Sequence, residues 1–139
     1  MGITISSKRY GCDMGYGGFG RFRDIVAQNT TNEVYEHYSL LSSPTVMFLS
    51  GDKRKEYFAA YDKKTKELIE QGELTAEVAN FLYQSDCGGN IDRKQAKQIF
   101  ELIKACDDEI VFGYIGRNDC AKMLDMKKIF SDNTKVEWN

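Results

Sequence analysis

The amino-acid sequence predicts a single, mainly α-helical domain with a small β-element, a fold of the α+β class. Apolar residues recur at helical spacing through most of the chain between residues 20 and 130. Capping and turn residues divide this pattern into about six short helices. Segments typical of β-strands lie at the N-terminus, over residues 110–115 and in the C-terminal tail.

At the N-terminus, Ile3 and Ile5 alternate with polar neighbours, so residues 2–7 are predicted to form a strand. Residues 8–20 are rich in glycine and are predicted to form a loop. A short helix is then expected from Gly20 to Gln28.

Capping residues and one proline delimit the next two helices. Thr31 or Asn32 can cap a helix that ends before Pro44, because proline lacks an amide donor and restricts the residue before it. Asp52 is predicted to cap the longest helix, over residues 53–71, which carries apolar residues at helical spacing among many lysines and glutamates.

Capping and turn residues also delimit the helices in the second half of the chain. Gly72 is predicted to end the long helix, Thr75 to open the next one, and Gly88 and Gly89 to end that helix. Asp92 and Gln95 have the spacing of a capping box, in which each side chain bonds the backbone amide of the other.

The last helix is predicted to start at Asn118 and to run to Phe130. Residues 134–138 are expected to form a strand that pairs with residues 2–7. The connections are short throughout, so residues 1–139 are expected to form one domain.

The composition of the chain argues against some classes of function. The formal net charge is −2, which argues against a general nucleic-acid coat, because such proteins need a broad basic face. The sequence shows neither a secretory signal nor an apolar run of the ~18 residues that cross a membrane. We therefore expect a cytoplasmic protein without a membrane partner, located in the host cytoplasm if a phage encodes it.

No metal or cofactor is expected. The four cysteines are widely spaced and the chain has one histidine, so the paired ligands of a zinc site are missing. Residues 84–95 have the outline of a calcium loop, but Gln84 stands where Asp is required and Gln95 where a bidentate Glu is required, and Gly88 offers no side-chain ligand. A turn between two helices explains the segment.

Catalysis has little support. A cysteine–histidine pair would need His37 together with one of four distant cysteines, and no two carboxylates share an evident face. The sequence thus favours a binding protein over an enzyme.

The most informative segment is residues 9–23, which combines glycines, aromatic rings and three arginines. Glycines at a helix N-terminus let backbone amides approach an anion, arginine forks bind phosphate, and aromatic rings stack on bases. The candidate ligand-binding residues here are Arg9, Tyr10, Tyr16, Gly17, Gly18, Phe19, Arg21 and Arg23. A purely structural loop and a protein-contact loop are the alternatives.

A second cluster, residues 112–119, also runs through glycine and arginine toward a helix. It adds Tyr114 and Arg117 to the candidate site. The two clusters either face each other within one chain or meet across the subunit interface of a homo-oligomer.

Short motifs through most of the chain resemble those of small uncharacterised proteins from Gram-positive bacteria and their phages. The motifs are Asp13–Phe19 followed by Arg21 and Arg23, Tyr61–Lys64, Ser85–Cys87, Gly113–Arg117 with Asp119 and Cys120, and Glu137 with Trp138. The resemblance implies no activity for any residue. It implies a context, since small acidic phage proteins often inhibit host defence by binding a protein or by sequestering a signalling nucleotide.

Three functions follow from these observations. The leading hypothesis is a non-enzymatic phage-type accessory protein that inhibits host defence by sequestering a phosphate-bearing small molecule, such as a signalling nucleotide. The rival is an inhibitor that occludes a host protein surface with the charged helix 53–71, although such a face is usually only solvated. The third is a small hydrolase that acts on a nucleotide.

Overall fold

The computed structural model describes residues 2–114 and 120–139 of the chain, which form a mainly helical α+β fold. Seven α-helices lie within these residues: α1 (Tyr16–Thr30), α2 (Asn32–Ser39), α3 (Pro44–Met47), α4 (Gly51–Glu70), α5 (Ala76–Tyr83), α6 (Arg93–Ile103) and α7 (Met123–Phe130). A 3₁₀ turn, Leu40–Ser42, joins α2 to α3. The strands are β1 (Gly2–Ser6), β2 (Gly11–Gly15), β3 (Gly89–Ile91), β4 (Val111–Tyr114), β5 (Cys120–Lys122) and β6 (Val136–Trp138).

Four strands form an antiparallel sheet in the order β2-β1-β6-β3. The C-terminal strand lies between β1 and β3, with Ile5 opposite Trp138 and Ser6 opposite Glu137. The predicted pairing of the two chain ends is therefore confirmed. The predicted strand over 110–115 is present as β4, but it pairs with β5 in a separate two-stranded sheet.

The prediction of a glycine-rich loop over residues 8–20 is wrong. Residues Gly11–Gly15 form β2 on the edge of the sheet, and α1 begins at Tyr16 rather than at Gly20. Pairing with β1 buries Met14 opposite Ile3, and this tertiary contact overrides the weak strand propensity of the glycines.

The structure contains several of the side-chain caps from which the helix boundaries were predicted. Thr31 accepts a hydrogen bond from the amide of Val34, and Thr75 caps α5 in the same way. Asp92 and Gln95 form the predicted capping box of α6. Gly72 has φ = +78° immediately after α4, which is the left-handed conformation that glycine adopts at helix ends.

Three boundary predictions differ from the structure. Helix α4 begins at Gly51 after Ser50, so Asp52 lies in its first turn and does not cap it. Helix α5 ends at Tyr83 because the following residues lead into the short strand β3. Helix α7 begins at Met123, and the predicted cap Asn118 lies outside the described residues.

An aromatic cluster fills the core between α1, α5, α7 and the sheet. Phe22 stacks on Phe130 at a centroid distance of 5.4 Å, and Phe19 lies 5.4 Å from Trp138. Phe81 meets the rings of both Phe19 and Phe22 edge-on. These five side chains are almost completely buried, so α1 is fixed along one whole face. No helix in the described ranges is both long and apolar enough to span a membrane.

Gly18 allows α1 to lie directly against β4. A Cβ atom at this position would be 2.0 Å from the carbonyl oxygen of Phe112, whereas a Cβ atom at the neighbouring Gly17 would meet nothing within 4 Å. Close helix–strand packing is therefore the reason for glycine at residue 18.

Gly18→Ala is expected to lower the free energy of unfolding by about 2–3 kcal/mol, because α1 or β4 must move to admit the methyl group. The matched control Gly17→Ala should be neutral or stabilising by up to about 1 kcal/mol, since alanine favours the helix. Urea unfolding of both variants measures the difference, and equal stabilities would contradict this explanation.

His37 and Tyr61 attach α4 to α2. The two rings stack at a centroid distance of 3.8 Å, and the Tyr61 hydroxyl donates to the His37 carbonyl at 2.9 Å. Thr65 Oγ1 donates to the Tyr61 carbonyl and lies 2.8 Å from His37 Nε2, so it accepts from the Nε2–H of the ring. Burial lowers the pKa of His37, and the positive charge of Lys64 lowers it further.

Because the pKa of His37 is lower in the folded state, the unfolded state binds the proton more readily. The contribution of His37 to stability should be complete above its ordinary pKa of about 6.5 and should decrease as the pH falls below it. Unfolding measured between about pH 7.5 and about pH 5 in the wild type and in His37→Gln should give stability differences that shrink with acidity. A constant difference would contradict the prediction.

Candidate ligand-binding site

A cavity of about 390 Å³ lies beside α1, at the point where α2 and α5 both end. One wall is formed by Tyr16, Phe19, Gly20 and Arg23 of α1. Phe19 and Gly20 follow Tyr16, and Arg23 follows both of them, at intervals of three or four positions, so the four residues form one stripe along the helix. The stripe contains three of the candidate residues from the sequence, namely Tyr16, Phe19 and Arg23.

The opposite wall comes from the ends of two other helices. Tyr38 of α2 and Ser42 of the 3₁₀ turn lie on one side, and Tyr83 of α5 lies on the other with Ser85 and Asp86 after it. The Tyr38 and Tyr83 rings meet at a centroid distance of 5.7 Å. The cavity is therefore lined by hydroxyl groups, aromatic rings, one guanidinium and one carboxylate.

Arg23 is the central charged group of this cavity, and only 6% of the residue is exposed. Its Nη1 donates to the carbonyl of Gln84 at 2.8 Å, and Nη2 lies 3.5 Å from the carbonyl of Ser85. Its Nε is buried and has no hydrogen-bond acceptor among the described residues. Such an unpartnered buried donor is rare in folded proteins.

Aromatic rings surround the Arg23 guanidinium. Its central carbon lies 4.4 Å from the ring centroid of Phe19, 5.5 Å from that of Phe81 and 5.7 Å from that of Trp138. Burial lowers the pKa of Arg23, although Tyr38 and Asp86 oppose the change. Arginine stays protonated in proteins, so the site holds a positive charge at neutral pH.

No carboxylate within the described residues forms an ion pair with Arg23. Asp86 contributes electrostatically, but it is exposed at the edge of the cavity. The ring contacts and the two carbonyl groups therefore stabilise the guanidinium without neutralising it.

The tyrosine hydroxyls of this site remain protonated. Burial raises the pKa of Tyr38, and it also raises the pKa of Tyr83. The Tyr38 hydroxyl can therefore donate a hydrogen bond across the physiological pH range. The Tyr83 hydroxyl donates to the Tyr61 hydroxyl at 2.9 Å, because the Tyr61 proton is donated to the His37 carbonyl.

Three of the glycine–aromatic predictions need correction. Phe19 is completely buried against Phe81 and Trp138, so it supports Arg23 and cannot stack on a base from solvent. Gly18 is required for packing against Phe112. Gly17 is exposed, and neither glycine lines the cavity. Tyr16, which is partly exposed, is the aromatic residue of α1 that a ligand in the cavity can reach.

Arg9 and Tyr10 do not join the cavity. They lie in the turn before β2, and the five residues of that strand separate them from Tyr16 by roughly 15 Å. The side chain of Arg9 forms an ion pair with Asp132 at 2.5 Å. Burial would raise the pKa of Asp132, but hydrogen bonds from Arg9 and Ser7 outweigh it and lower this pKa to about 2.

Of the remaining predicted residues, one lies away from the cavity and two fall wholly or partly outside the part of the chain that the structure describes. Arg21 is exposed, and its Nη1 donates to the carbonyl of Val111 at 3.1 Å, so α1 and β4 do face each other within one chain. The side chain of Tyr114 and the whole of Arg117 fall outside the described part of the chain.

Sequence reasoning missed Tyr38, Ser42, Tyr83, Ser85 and Asp86. One available signal was that two helices each place a tyrosine in the last turn, where a side chain can project beyond the packed face. The segment after Tyr83 is shaped by Gln84, whose side chain bonds both the amide and the carbonyl of Asn90. These bonds show that the segment with the outline of a calcium loop is a turn, and this turn places Ser85 and Asp86 at the cavity.

No protein-family model matches this chain, and neither a curated protein nor a solved structure matches it. The chemistry of the cavity is therefore the basis on which a function can be proposed.

Arg23→Met should change the free energy of unfolding by less than about 1.5 kcal/mol without ligand, because the lost hydrogen bonds are offset by removal of an un-neutralised buried charge. Phe19→Ala, which empties the same wall, should cost about 3–5 kcal/mol and serves as the control. Denaturant unfolding gives both values. A loss in Arg23→Met as large as that in Phe19→Ala would mean that Arg23 has a structural role only.

Proposed function

We propose that this protein is a non-enzymatic binding protein that captures a phosphate-bearing small molecule, such as a nucleotide, in the cavity beside Arg23. The observation that carries the proposal is the buried Arg23 guanidinium, which lines a cavity and forms no ion pair with a carboxylate of the described residues. A buried charge without a counter-charge is costly, and an anionic ligand would supply that counter-charge.

The environment of Arg23 would strengthen such an interaction. An anion near a guanidinium in a partly buried cavity is attracted more strongly than at an open surface, because less water screens the charges. The hydroxyls of Tyr38 and Ser42 can donate further hydrogen bonds to phosphate oxygens. Arginine with hydroxyl donors is a common combination for phosphate recognition.

The size and walls of the cavity suit a ligand with a planar group. A volume of about 390 Å³ lies within the ordinary range of small-molecule sites. Tyr16 can stack on a base at one end of the α1 stripe, while Arg23 lies two helical turns away at the other. Asp86 at the edge can accept a hydrogen bond from an amino group.

Binding without conversion fits the groups around the cavity. The one histidine of the chain is committed to Thr65 between α2 and α4, so it does not serve as a general base there. Arg23 and the tyrosines are suited to bind and orient a ligand, and this role involves no chemical conversion of the ligand.

The resemblance to phage proteins gives this binding a biological role. A phage protein that holds a host signalling nucleotide lowers its free concentration and so prevents activation of the defence system that senses it. We propose sequestration in the host cytoplasm as the cellular function.

A nucleotide panel tests the binding. Mononucleotides, cyclic dinucleotides and ADP-ribose derivatives should include at least one compound that raises the melting temperature, since a ligand at 100 times its dissociation constant stabilises by about 2.7 kcal/mol. Arg23→Met should abolish the shift, whereas the matched variant Arg21→Met should retain it, because Arg21 faces β4. Failure of every compound to shift the wild type would contradict the proposal.

The absence of catalysis is tested on the same complex. After prolonged incubation with excess protein, the bound compound should be recovered unchanged by chromatography and mass spectrometry. Conversion of the compound by the wild type but not by Arg23→Met would instead support the hydrolase hypothesis.

A further inference from the structure

The first half of α4 projects from the body of the protein. No residue from Gly51 to Ala60 is buried, whereas Tyr61 and Leu68 attach the second half. Immediately before this helix, Met47 and Phe48 are 71% and 86% exposed. Neighbouring large apolar side chains that are this exposed are typical of an interaction surface.

The charges of α4 are not neutralised by ion pairs with other described residues. The helix carries six basic and five acidic residues, and none of them forms an ion pair within the described ranges. This near balance does not favour an anionic membrane, which attracts segments with a clear excess of lysine and arginine. It favours a protein partner whose surface also carries both positive and negative charges.

Three residues arrange these charges in a self-complementary order. Arg54, Phe58 and Asp62 are spaced by four residues, so they form a stripe of about 12 Å on one side of α4. The Arg54 guanidinium lies 4.9 Å from the Phe58 ring centroid. Read in the opposite direction, the order cation–aromatic–anion becomes anion–aromatic–cation.

We propose that a second copy of this chain covers this surface, with the two α4 helices antiparallel and a two-fold axis close to Phe58. In this arrangement Arg54 of each copy faces Asp62 of the other, and the two Phe58 rings meet at the axis. An isologous interface requires such self-complementarity.

Met47 and Phe48 extend the same interface. Each copy would bring them over the second half of the other copy's α4, where that helix is attached to its own body. This extension matters because a stable dimer buries about 800 Å² on each partner, which is more than one short helical stripe provides.

A charge-swap experiment tests this dimer on the full-length protein. Sedimentation equilibrium from micromolar to millimolar concentration should show a mass approaching twice the 15.9 kDa of the chain. Arg54→Asp and Asp62→Arg should each weaken association at least about tenfold, because each places like charges opposite one another. The double variant restores opposite charges and should recover most of the affinity.

Arg93→Asp is the control, since Arg93 is exposed on α6 and its reversal should leave the dimer unchanged. Phe48→Ser should weaken the dimer, and thermal melting at low concentration checks that every variant folds. A wild type that stays monomeric throughout would overturn the proposal and would leave α4 free for a different protein. A double variant no better than the single ones would overturn the antiparallel pairing.

Discussion

The burial of the Arg23 guanidinium is the constraint that joins the parts of this structure. Its ring contacts reach Phe19 on its own helix, Phe81 on α5 and Trp138 on the C-terminal strand. Its hydrogen bonds hold the segment that follows α5, and the indole of Trp138 donates to the Ser85 carbonyl at 2.9 Å. One side chain thus connects the first helix, the middle of the chain and its last strand, all of which meet at the cavity.

This arrangement places a charge among aromatic side chains of the core. The aromatic core continues from Phe22 and Phe130 up to the rings around Arg23, so the cavity is built on the best-packed part of the protein. A binding group on such a support is held in one orientation before the ligand arrives, which reduces the entropy lost on binding. The first half of α4 is not supported in this way, since none of its residues from Gly51 to Ala60 is buried.

The sequence predicted those features of the fold that depend on local chemistry. Thr31, Thr75 and the Asp92–Gln95 pair each act within one turn of helix, so their effect is visible in a short window. The N-terminal strand was predicted from the alternation of Ile3 and Ile5, and its pairing with the C-terminal tail was expected as well. The structure of residues 11–20 was not predicted, because their strand and helix depend on Met14 and Phe19 packing against distant residues. Because the sequence predicted that the first helix starts at Gly20, four residues too late, it did not place Tyr16 and Phe19 on one stripe with Arg23. The tyrosines in the last turns of α2 and α5 were a local signal, but only the tertiary fold brings them to the same cavity.

The central claim is that the Arg23 cavity receives an anionic ligand, and nuclear magnetic resonance can observe this at the arginine itself. The Nε–H of Arg23 is buried, so its proton should exchange slowly and give a separate signal. Titration with a nucleotide should shift that signal together with the amides of Tyr16, Gly20, Ser42 and Ser85. Shifts confined to the turn around Arg9 and Tyr10, or to the β4 side of α1 around Arg21, would contradict the account.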